Sequence, residues 1–370
     1  MIAVICRTPI HVFRSVQLKL TVWKETVADI FIFDTFSNSE AISRRLSELG
    51  IFGRVEHVKS QDCIVDGKFG DLRACFKKSD FAKKLGEKKY DELFVYNIFG
   101  AFTDVAYNVL KNNNSSLVYN IIEDGPTLYH IQKNVSKTAR FLYPVFGLES
   151  AVNNVDFWWF SKPELMEPFG SGEKKRLPVV DRNDKKLVES VNKVFDYHID
   201  DNLTDSDIVF MEECYYNDGL MKQSCDLELF RAIKQRFSSA KYAVKLHPRS
   251  RENRFCGDFY VLPTDGIPWE VYSLNYSMDN KILISLSCAT MVSSKLLFGD
   301  ETHSLLLYPI VKDSVLELQT GKSYFTDKRA KAIDGQKSLY NEPDRFVVAQ
   351  DMQTAYKKID LWLRELNSSK

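Results

Sequence analysis

The sequence predicts an α/β protein made of two doubly wound domains, each built on a mostly parallel sheet. Short apolar runs alternate with amphipathic segments along most of the chain, as in successive βαβ units. The chain has 370 residues, which exceeds the usual size of a single hydrophobic core. A turn-rich, charged stretch over 161–185 separates the two series. We therefore predict domains over 1–160 and 186–345, with 161–185 as the linker.

Each series follows from the local pattern of apolar residues and turn signals. The final stretch, 346–370, has helical periodicity and is expected to form a helix that crosses back toward the first domain. The predicted strands are 2–6, 28–33, 53–57, 92–96 and 117–122, then 208–211, 242–246, 259–261, 282–286 and 304–307. The predicted helices are 41–49, 76–85 and 103–112, then 187–195, 226–237, 268–272, 290–298 and 344–366.

Composition restricts the class of protein. Lys plus Arg and Asp plus Glu both total 50, so the net charge of zero argues against nucleic acid as a partner. The seven cysteines are scattered without a CxxC pair, which fits a reducing cytoplasm and argues against a zinc or redox site. The apolar N-terminus lacks a basic segment before it, and no apolar run reaches the roughly 20 residues of a spanning helix. We expect a cytoplasmic protein, and leave open peripheral association with the inner face of a membrane and a homodimer.

Four short motifs fall at predicted strand ends or helix starts. They lie at 121–125, 245–249, 267–270 and 287–290 and contain, in order, a carboxylate pair, a histidine between cations, another carboxylate and a hydroxyl cluster. Open α/β sheets bind ligands beyond the carboxyl ends of their strands. The order and placement of these groups predict a sugar transfer from a nucleotide donor.

Asp124 is the candidate catalytic base. It follows an apolar strand and precedes Gly125 and Pro126, which turn the chain and leave the carboxylate at the edge of the sheet. A solvated turn is the alternative interpretation. Glu123 beside it and His11 after the first strand are the candidates for the acceptor side.

His247 ends a predicted strand, and Pro248 favours an extended backbone at this position. Lys245 and Arg249 flank it, so the three side chains form a candidate phosphate site. A histidine in a charged surface turn is the alternative.

Two further segments complete the predicted donor site. Pro268 is expected to begin a helix in which Glu270 accepts hydrogen bonds from ribose, although a carboxylate there can also serve only the helix dipole. Ser287, Cys288 and Thr290 join a strand to a helix, where N–H and hydroxyl groups bind anions or simply cap the helix.

Other signals are weaker. Glu212 and Glu213 follow a strand and one of them could be catalytic, but adjacent residues point to opposite faces, so one is expected to be structural. The histidines form no metal-binding pattern, and no DxD motif is present. We expect no metal and no other cofactor.

The ordered motifs, an acidic pair before glycine, K-x-H-P, I-P-W-E and a Ser/Thr cluster, resemble those of bacterial sialyltransferases. The length and flanking sequence look most like glycosyltransferase family 52, and polysialyltransferases are a related family with the same motifs. The resemblance implies a GT-B-like fold with an interdomain cleft for CMP-sialic acid, in which Asp124 is the base, His247 assists departure of CMP and Ser287 binds its phosphate. In this sequence Cys288 replaces the second hydroxyl of the usual pair, and Thr290 is a candidate substitute.

The first functional hypothesis is therefore an inverting, metal-independent sialyltransferase that modifies a bacterial lipooligosaccharide or capsule glycan. A glycosyltransferase of the same fold that uses another nucleotide sugar, such as a UDP-hexose, is the second. A catalytically silent protein that binds glycans or nucleotides is the third, and the joint presence of Asp124 and His247 argues against it.

Overall fold

A computed structural model describes residues 1–63, 73–76, 79–96, 101–126, 129, 143–166, 172–250, 252–263, 266–318 and 320–368. The chain forms two compact units. The first comprises Met1–Pro178 and Asn183–Asp196, and the second comprises Val179–Arg182 and Tyr197–Lys370.

The sheet of the first unit is parallel throughout its described strands and has the order β3-β2-β1-β4-β5-β6-β7. All residues of β1 and β2 are buried, because helices of a doubly wound unit cover both faces and only continuous apolar runs fit there. The strands are β1 (Ile2–Cys6), β2 (Ala28–Phe33), β3 (Arg54–Val58), β4 (Glu92–Val95), β5 (Val118–Ile122), β6 (Phe157–Phe160) and β7 (Glu173–Arg176).

The helices of this unit begin and end where the sequence places caps. Pro9 occupies the first turn of α1, where its missing N–H costs no hydrogen bond. Gly50 ends α2 in the left-handed region, at φ 67°. The helices are α1 (Pro9–Thr21), α2 (Ser39–Leu49), α3 (Asp80–Leu85), α4 (Ala101–Asn113) and α5 (Lys185–Phe195), with 3₁₀ turns at Ser60–Cys63, Pro144–Phe146, Ala151–Asn153 and Pro163–Leu165.

The second unit repeats this design on a parallel sheet with the order β10-β9-β8-β11-β12-β13. Its central strands are apolar and buried, with Phe210 of β8 stacked on Phe230 of the covering helix α7 at a centroid distance of 4.2 Å. The strands are β8 (Ile208–Met211), β9 (Tyr242–Lys245), β10 (Tyr260–Val261), β11 (Ile282–Ser285), β12 (His303–Leu306) and β13 (Phe346–Val348). The helices are α6 (Asp201–Asp205), α7 (Cys225–Arg236), α8 (Trp269–Asn275), α9 (Ser293–Phe298), α10 (Tyr308–Val311), α11 (Asp327–Gly335) and α12 (Met352–Ser368), with 3₁₀ turns at Ala289–Val292, Gln336–Leu339 and Pro343–Arg345.

The predicted fold class, two parallel-sheet α/β domains, is confirmed. The predicted linker over 161–185 differs from the structure, since it contains β7 and the start of α5. Strand β7 has the sequence EKKR, which pairs at the sheet edge without any apolar alternation for a sequence pattern to detect. Helix α5, predicted at 187–195 in the second domain, belongs to the first unit and packs on α1 and α2.

The end of the chain also differs from its prediction. The expected helix over 344–366 begins only at Met352, and β13 (Phe346–Val348) occupies the first part of that range. The three residues of β13 are too few to interrupt a helical pattern in the sequence. Helix α12 belongs to the second unit, where Trp362 packs on His303 of β12 at a centroid distance of 4.9 Å. Its apolar face therefore covers the second sheet.

Candidate active site

Polar side chains collect at the carboxyl edge of each sheet. Because all described strands within a sheet are parallel, residues that directly follow them lie at one edge. In the first unit this edge carries His11 and Asp124, after β1 and β5. In the second unit it carries Glu213, His247 and Ser287, after β8, β9 and β11. The sequence predicted four of these five groups as site residues.

Asp124 is paired with His11. Nε2 of His11 lies 2.7 Å from Oδ1 of Asp124, and the histidine side chain is 2% exposed whereas the aspartate is 31% exposed. Nδ1 of His11 accepts a hydrogen bond of 3.0 Å from the backbone N–H of Arg7. In the neutral imidazole the proton therefore lies on Nε2, which donates to Asp124. The accessible carboxylate is held by a buried, orientated partner.

The ring of His11 is itself fixed by packing. It stacks on Tyr96 with a centroid distance of 4.4 Å and an interplanar angle of 12°. The Ser15 hydroxyl donates to the carbonyl of His11 at 2.7 Å and lies 2.8 Å from the Tyr96 hydroxyl. Burial raises the pKa of Tyr96 well above its ordinary value, so this phenol stays protonated and donates to Ser15. His11 is thus positioned by two buried side chains.

Glu123, predicted for the acceptor side, lies in the interior instead. Its carboxylate accepts hydrogen bonds from the Tyr129 hydroxyl at 2.6 Å, the Ser161 backbone N–H at 2.9 Å and the Ser161 hydroxyl. Nη2 of Arg14 lies 3.5 Å from Oε1 of Glu123, and both side chains of this ion pair are 4% exposed. Adjacent residues leaving a strand point to opposite sides, which separates the buried Glu123 from the accessible Asp124.

His247 is held in the second unit by its backbone and by one ring nitrogen. Its N–H donates to Oε2 of Glu212 at 3.0 Å, and its Nδ1 accepts from the backbone N–H of Arg249 at 3.1 Å. The sulfur of Cys214 lies 2.8 Å from the same Nδ1. Burial, followed by the charge of Arg249, lowers the pKa of His247 to about 4. At neutral pH the ring is uncharged and carries its proton on Nε2.

Glu212 is the structural member of the acidic pair after β8. It is 1% exposed and accepts from Arg254 at 2.8 Å and from the Ser250 hydroxyl. Arg254 also bonds Asp226 at 2.8 Å, so the two carboxylates share one buried guanidinium. This network anchors the backbone of His247.

Lys245 and Glu270 form the buried charged part of the donor-site candidates. Lys245 is 4% exposed, and burial lowers its pKa to about 8 while the charge of Glu270 opposes that shift. Glu270 is 5% exposed in the first turn of α8. Arg249, in contrast, is exposed and forms an ion pair with Asp218 at 3.1 Å. Lys245 keeps its proton at neutral pH, so a cation and a carboxylate lie together in the interior.

The start of α8 is fixed by Trp269. Pro268 is extended and directly precedes the helix, which therefore begins at Trp269, one residue later than predicted. The indole N–H of Trp269 donates to Ser294 at 3.1 Å, and Ser294 lies 2.7 Å from the Ser273 hydroxyl. These buried contacts fix the first turn of α8, from which the side chain of Glu270 projects.

Ser287 lies between two other polar side chains. Its hydroxyl donates to Oε1 of Glu213 at 3.1 Å and is 2.6 Å from the hydroxyl of Tyr215. Burial raises the pKa of Glu213 to about 7, against the hydrogen bonds from Ser287. Sequence reasoning set Glu213 aside with Glu212, and it missed Tyr215. The available signal was strand alternation: adjacent residues point to opposite faces, so only one of Glu212 and Glu213 can be turned into the core.

Thr290 lies in the 3₁₀ turn Ala289–Val292 rather than at the start of the predicted α-helix, and Cys288 directly precedes that turn. The Cys288 thiol interacts with the hydroxyl and the backbone N–H of Thr290, and burial raises the thiol pKa to about 12. Its backbone N–H bonds the Ser285 hydroxyl at 3.3 Å. Cys288 is therefore a neutral group, and Thr290 is engaged with it.

Two features of the described residues bear on cofactors and membranes. No group of three or more His, Cys, Asp or Glu side chains is arranged there to hold a metal ion. None of the helices in that part of the chain is long and apolar enough to span a membrane.

Comparison with protein families gives one informative match. The family model of the alpha-2,8-polysialyltransferases (POLYST) matches residues 56–307, which is more than half of the chain. The matched segment includes Asp124, His247, Glu270 and Ser287, whereas His11 lies before it. A comparison with curated proteins gives no significant match.

Solved structures of similar architecture include two bacterial proteins. A putative UDP-N-acetylglucosamine 2-epimerase from Listeria monocytogenes is 12% identical and aligns over 98% of this chain and 88% of its own, with a TM-score of 0.53. MurG from Acinetobacter baumannii is 9% identical over 99% of this chain and 92% of its own, with a TM-score of 0.47. At 12% identity the similarity to the Listeria protein concerns architecture alone, and it agrees with the predicted GT-B-like pair of α/β domains.

Proposed function

Because the chain belongs to the alpha-2,8-polysialyltransferase family, we propose that it transfers sialic acid from CMP-sialic acid to a glycan hydroxyl. The family makes the chain a glycosyltransferase of the sialyltransferase type, with a nucleotide-sugar donor and a glycan acceptor. The proposal adds CMP-sialic acid as that donor, inversion at the anomeric carbon without a metal, and a bacterial surface glycan as the acceptor. The closer resemblance to family 52 stays a prediction.

The observation that carries the proposal is the Asp124 and His11 pair. Asp124 is the accessible carboxylate at the edge of the first sheet, and its neighbour Glu123 is buried. The N–H of His11 donates to one oxygen of Asp124 and leaves the other oxygen for an acceptor hydroxyl. In the proposed step this hydroxyl gives its proton to Asp124 as its oxygen bonds the anomeric carbon of sialic acid.

Departure of CMP needs groups that stabilise the phosphate as the bond from its oxygen to the anomeric carbon breaks. His247 offers a neutral Nε2–H, since its Nδ1 is occupied as an acceptor. Lys245 supplies a positive charge at neutral pH, and Ser287 supplies a hydroxyl. Fixed donors of this kind favour the charge that develops on the leaving group. No protonated imidazole is required in this scheme.

The donor is tested by titrating the protein with CMP, UDP and GDP and recording the melting temperature. Ligand that binds the native state raises the melting temperature by mass action. We expect CMP to give the largest increase and Ser287→Ala to reduce it. The exposed Ser338→Ala is the matched control and should respond as the wild type does. A larger increase with UDP than with CMP would overturn the proposed donor and favour a UDP-hexose transferase.

A further inference from the structure

The hydroxyl of Ser287 has a single proton, and Glu213 holds it. Tyr215 lies 2.6 Å from Ser287, and burial keeps the Tyr215 pKa above its ordinary value, so this phenol acts as the donor. Ser287 then donates onward to Oε1 of Glu213 at 3.1 Å. A hydroxyl can donate only one hydrogen bond. While Glu213 is ionised, Ser287 therefore has no proton for a phosphate.

Charge reinforces this conflict. A phosphate oxygen that bonded Ser287 would come close to the Glu213 carboxylate, and like charges a few ångströms apart repel more strongly in a partly buried site than in water. A protonated Glu213 removes both obstacles. It donates to the oxygen of Ser287, which has lone pairs for both Tyr215 and Glu213, and the Ser287 proton turns to the phosphate.

We propose that Glu213 is a donor-binding residue that takes up one proton from solvent when a nucleotide phosphate binds at Ser287. This inference rests on the proposed function, which places the phosphate at Ser287. It assigns a role to a residue that the proposed transfer step does not use. It also makes donor affinity depend on pH through a group other than the histidine of the site.

The surroundings of Glu213 suit this role. Burial raises its pKa to about 7, opposed by hydrogen bonds from the hydroxyl and the backbone N–H of Ser287. Arg249, after β9, also favours the carboxylate, but it is exposed and paired with Asp218. Asp226 of α7 favours the neutral form. A bound phosphate adds negative charge and so raises the pKa of Glu213 further.

The remaining titratable neighbours stay neutral. Cys214 and Cys288 interact with Glu213, and burial raises the pKa of each thiol to about 12. Tyr215 likewise keeps its proton because burial raises its pKa. His247 has a pKa near 4 and is uncharged over the same range. Of these groups, Glu213 has the pKa that lies nearest to neutrality.

The test uses the methyl ester of CMP, a phosphodiester whose single negative charge does not change near neutral pH. Calorimetric titration in buffers of different ionisation enthalpy counts the protons taken up. Wild type should take up about half a proton per nucleotide at about pH 7, where Lys245, whose pKa is about 8, is already mostly protonated. Its affinity should fall as the pH rises from about 7 to about 8. Glu213→Gln should take up close to none at about pH 7 and keep a nearly flat affinity below about pH 7. Since glutamine imitates the neutral acid, this variant should bind more tightly than wild type at about pH 8.

Glu228→Gln is the matched control, since Glu228 is an exposed carboxylate on α7. It should retain the proton uptake of wild type. Uptake that is absent in wild type, or that persists in Glu213→Gln, overturns the inference and leaves the proposed donor intact. If Glu213→Gln does not fold, the wild-type proton count alone decides. Binding of the uridine ester instead of the cytidine ester overturns the proposed donor, and the same proton count then tests Glu213 with that ester.

Discussion

The carboxyl edges of the two sheets are built from similar residue types but treat charge in opposite ways. At the first edge Asp124 is accessible to water and is hydrogen-bonded to a buried histidine. At the second edge burial lowers the pKa of Lys245 to about 8 and that of His247 to about 4, and raises that of Glu213 to about 7. The first edge keeps one full charge in place. The second edge holds groups whose uncharged forms are favoured by burial.

The difference fits the two tasks of a glycosyl transfer. A base must accept a proton from a neutral hydroxyl, and an accessible carboxylate with one fixed hydrogen bond can do so. The phosphate of the leaving group is already negatively charged, so its departure needs fixed hydrogen-bond donors more than further charged groups. A mutation at the first edge should therefore change the chemical step, and one at the second edge should change donor binding or departure.

The largest expected effect is that of Asp124→Asn at the first edge. The amide cannot accept the acceptor proton, so we expect kcat to fall by about 10²-fold or more. The dissociation constant for CMP should stay near that of wild type, because the second unit holds the nucleotide candidates. Single-turnover kinetics with calorimetric titration of CMP separates the two quantities. Near-normal turnover would remove Asp124 from the mechanism.

His247→Ala should have the next largest effect, a loss of roughly 10²-fold in kcat from removal of one fixed donor to the leaving group. His247→Gln should recover part of it, since its amide also donates. Burial lowers the pKa of His247 to about 4, so the neutral ring is present throughout neutral pH. If the reaction needed the charged ring, kcat would fall about tenfold per pH unit between about pH 6 and pH 8. We expect no such fall in kcat at saturating donor.

The sequence predicted the strand ends well because their signals are local. Asp124 and His247 each follow an apolar run and precede a turn, and both lie at the carboxyl edge of a parallel sheet. What the sequence could not supply were contacts between distant positions. His11 and Asp124 are 113 residues apart, and Ser287 and Glu213 are 74 apart. No periodicity links such pairs, so their partnership had to come from the fold.

Burial was the second missing quantity. Glu123 and Asp124 have nearly the same chemistry in sequence, yet their side chains are 4% and 31% exposed. The pair Glu212 and Glu213 presents the same problem, with Arg254 neutralising the first and Ser287 bonding the second. Strand alternation predicts that two neighbours differ, but the direction of the difference depends on which side the core lies.

Glu270→Ala should have a smaller effect, confined to donor binding. Loss of the buried carboxylate should weaken CMP binding by roughly 1 to 3 kcal/mol, the cost of losing a charged hydrogen-bond partner for ribose. It should also lower the pKa of Lys245 further, because the charge of Glu270 now supports the ammonium. If Glu270 served only the dipole of α8, stability would fall by about 0.3 to 1 kcal/mol. In that case calorimetry would give an unchanged dissociation constant.

The smallest expected effect is that of removing divalent metal, because in the proposed scheme the second edge supplies its own partners for a phosphate. Lys245 contributes a positive charge, and His247 and Ser287 contribute N–H and O–H donors. We therefore expect kcat in EDTA to stay within about twofold of its value with magnesium. A required ion would stabilise the leaving group by several kcal/mol, so its removal would lower the rate by roughly a hundredfold or more. Loss of activity in EDTA, restored by magnesium or manganese, would show that these side chains do not suffice to stabilise the leaving group and that a metal is needed.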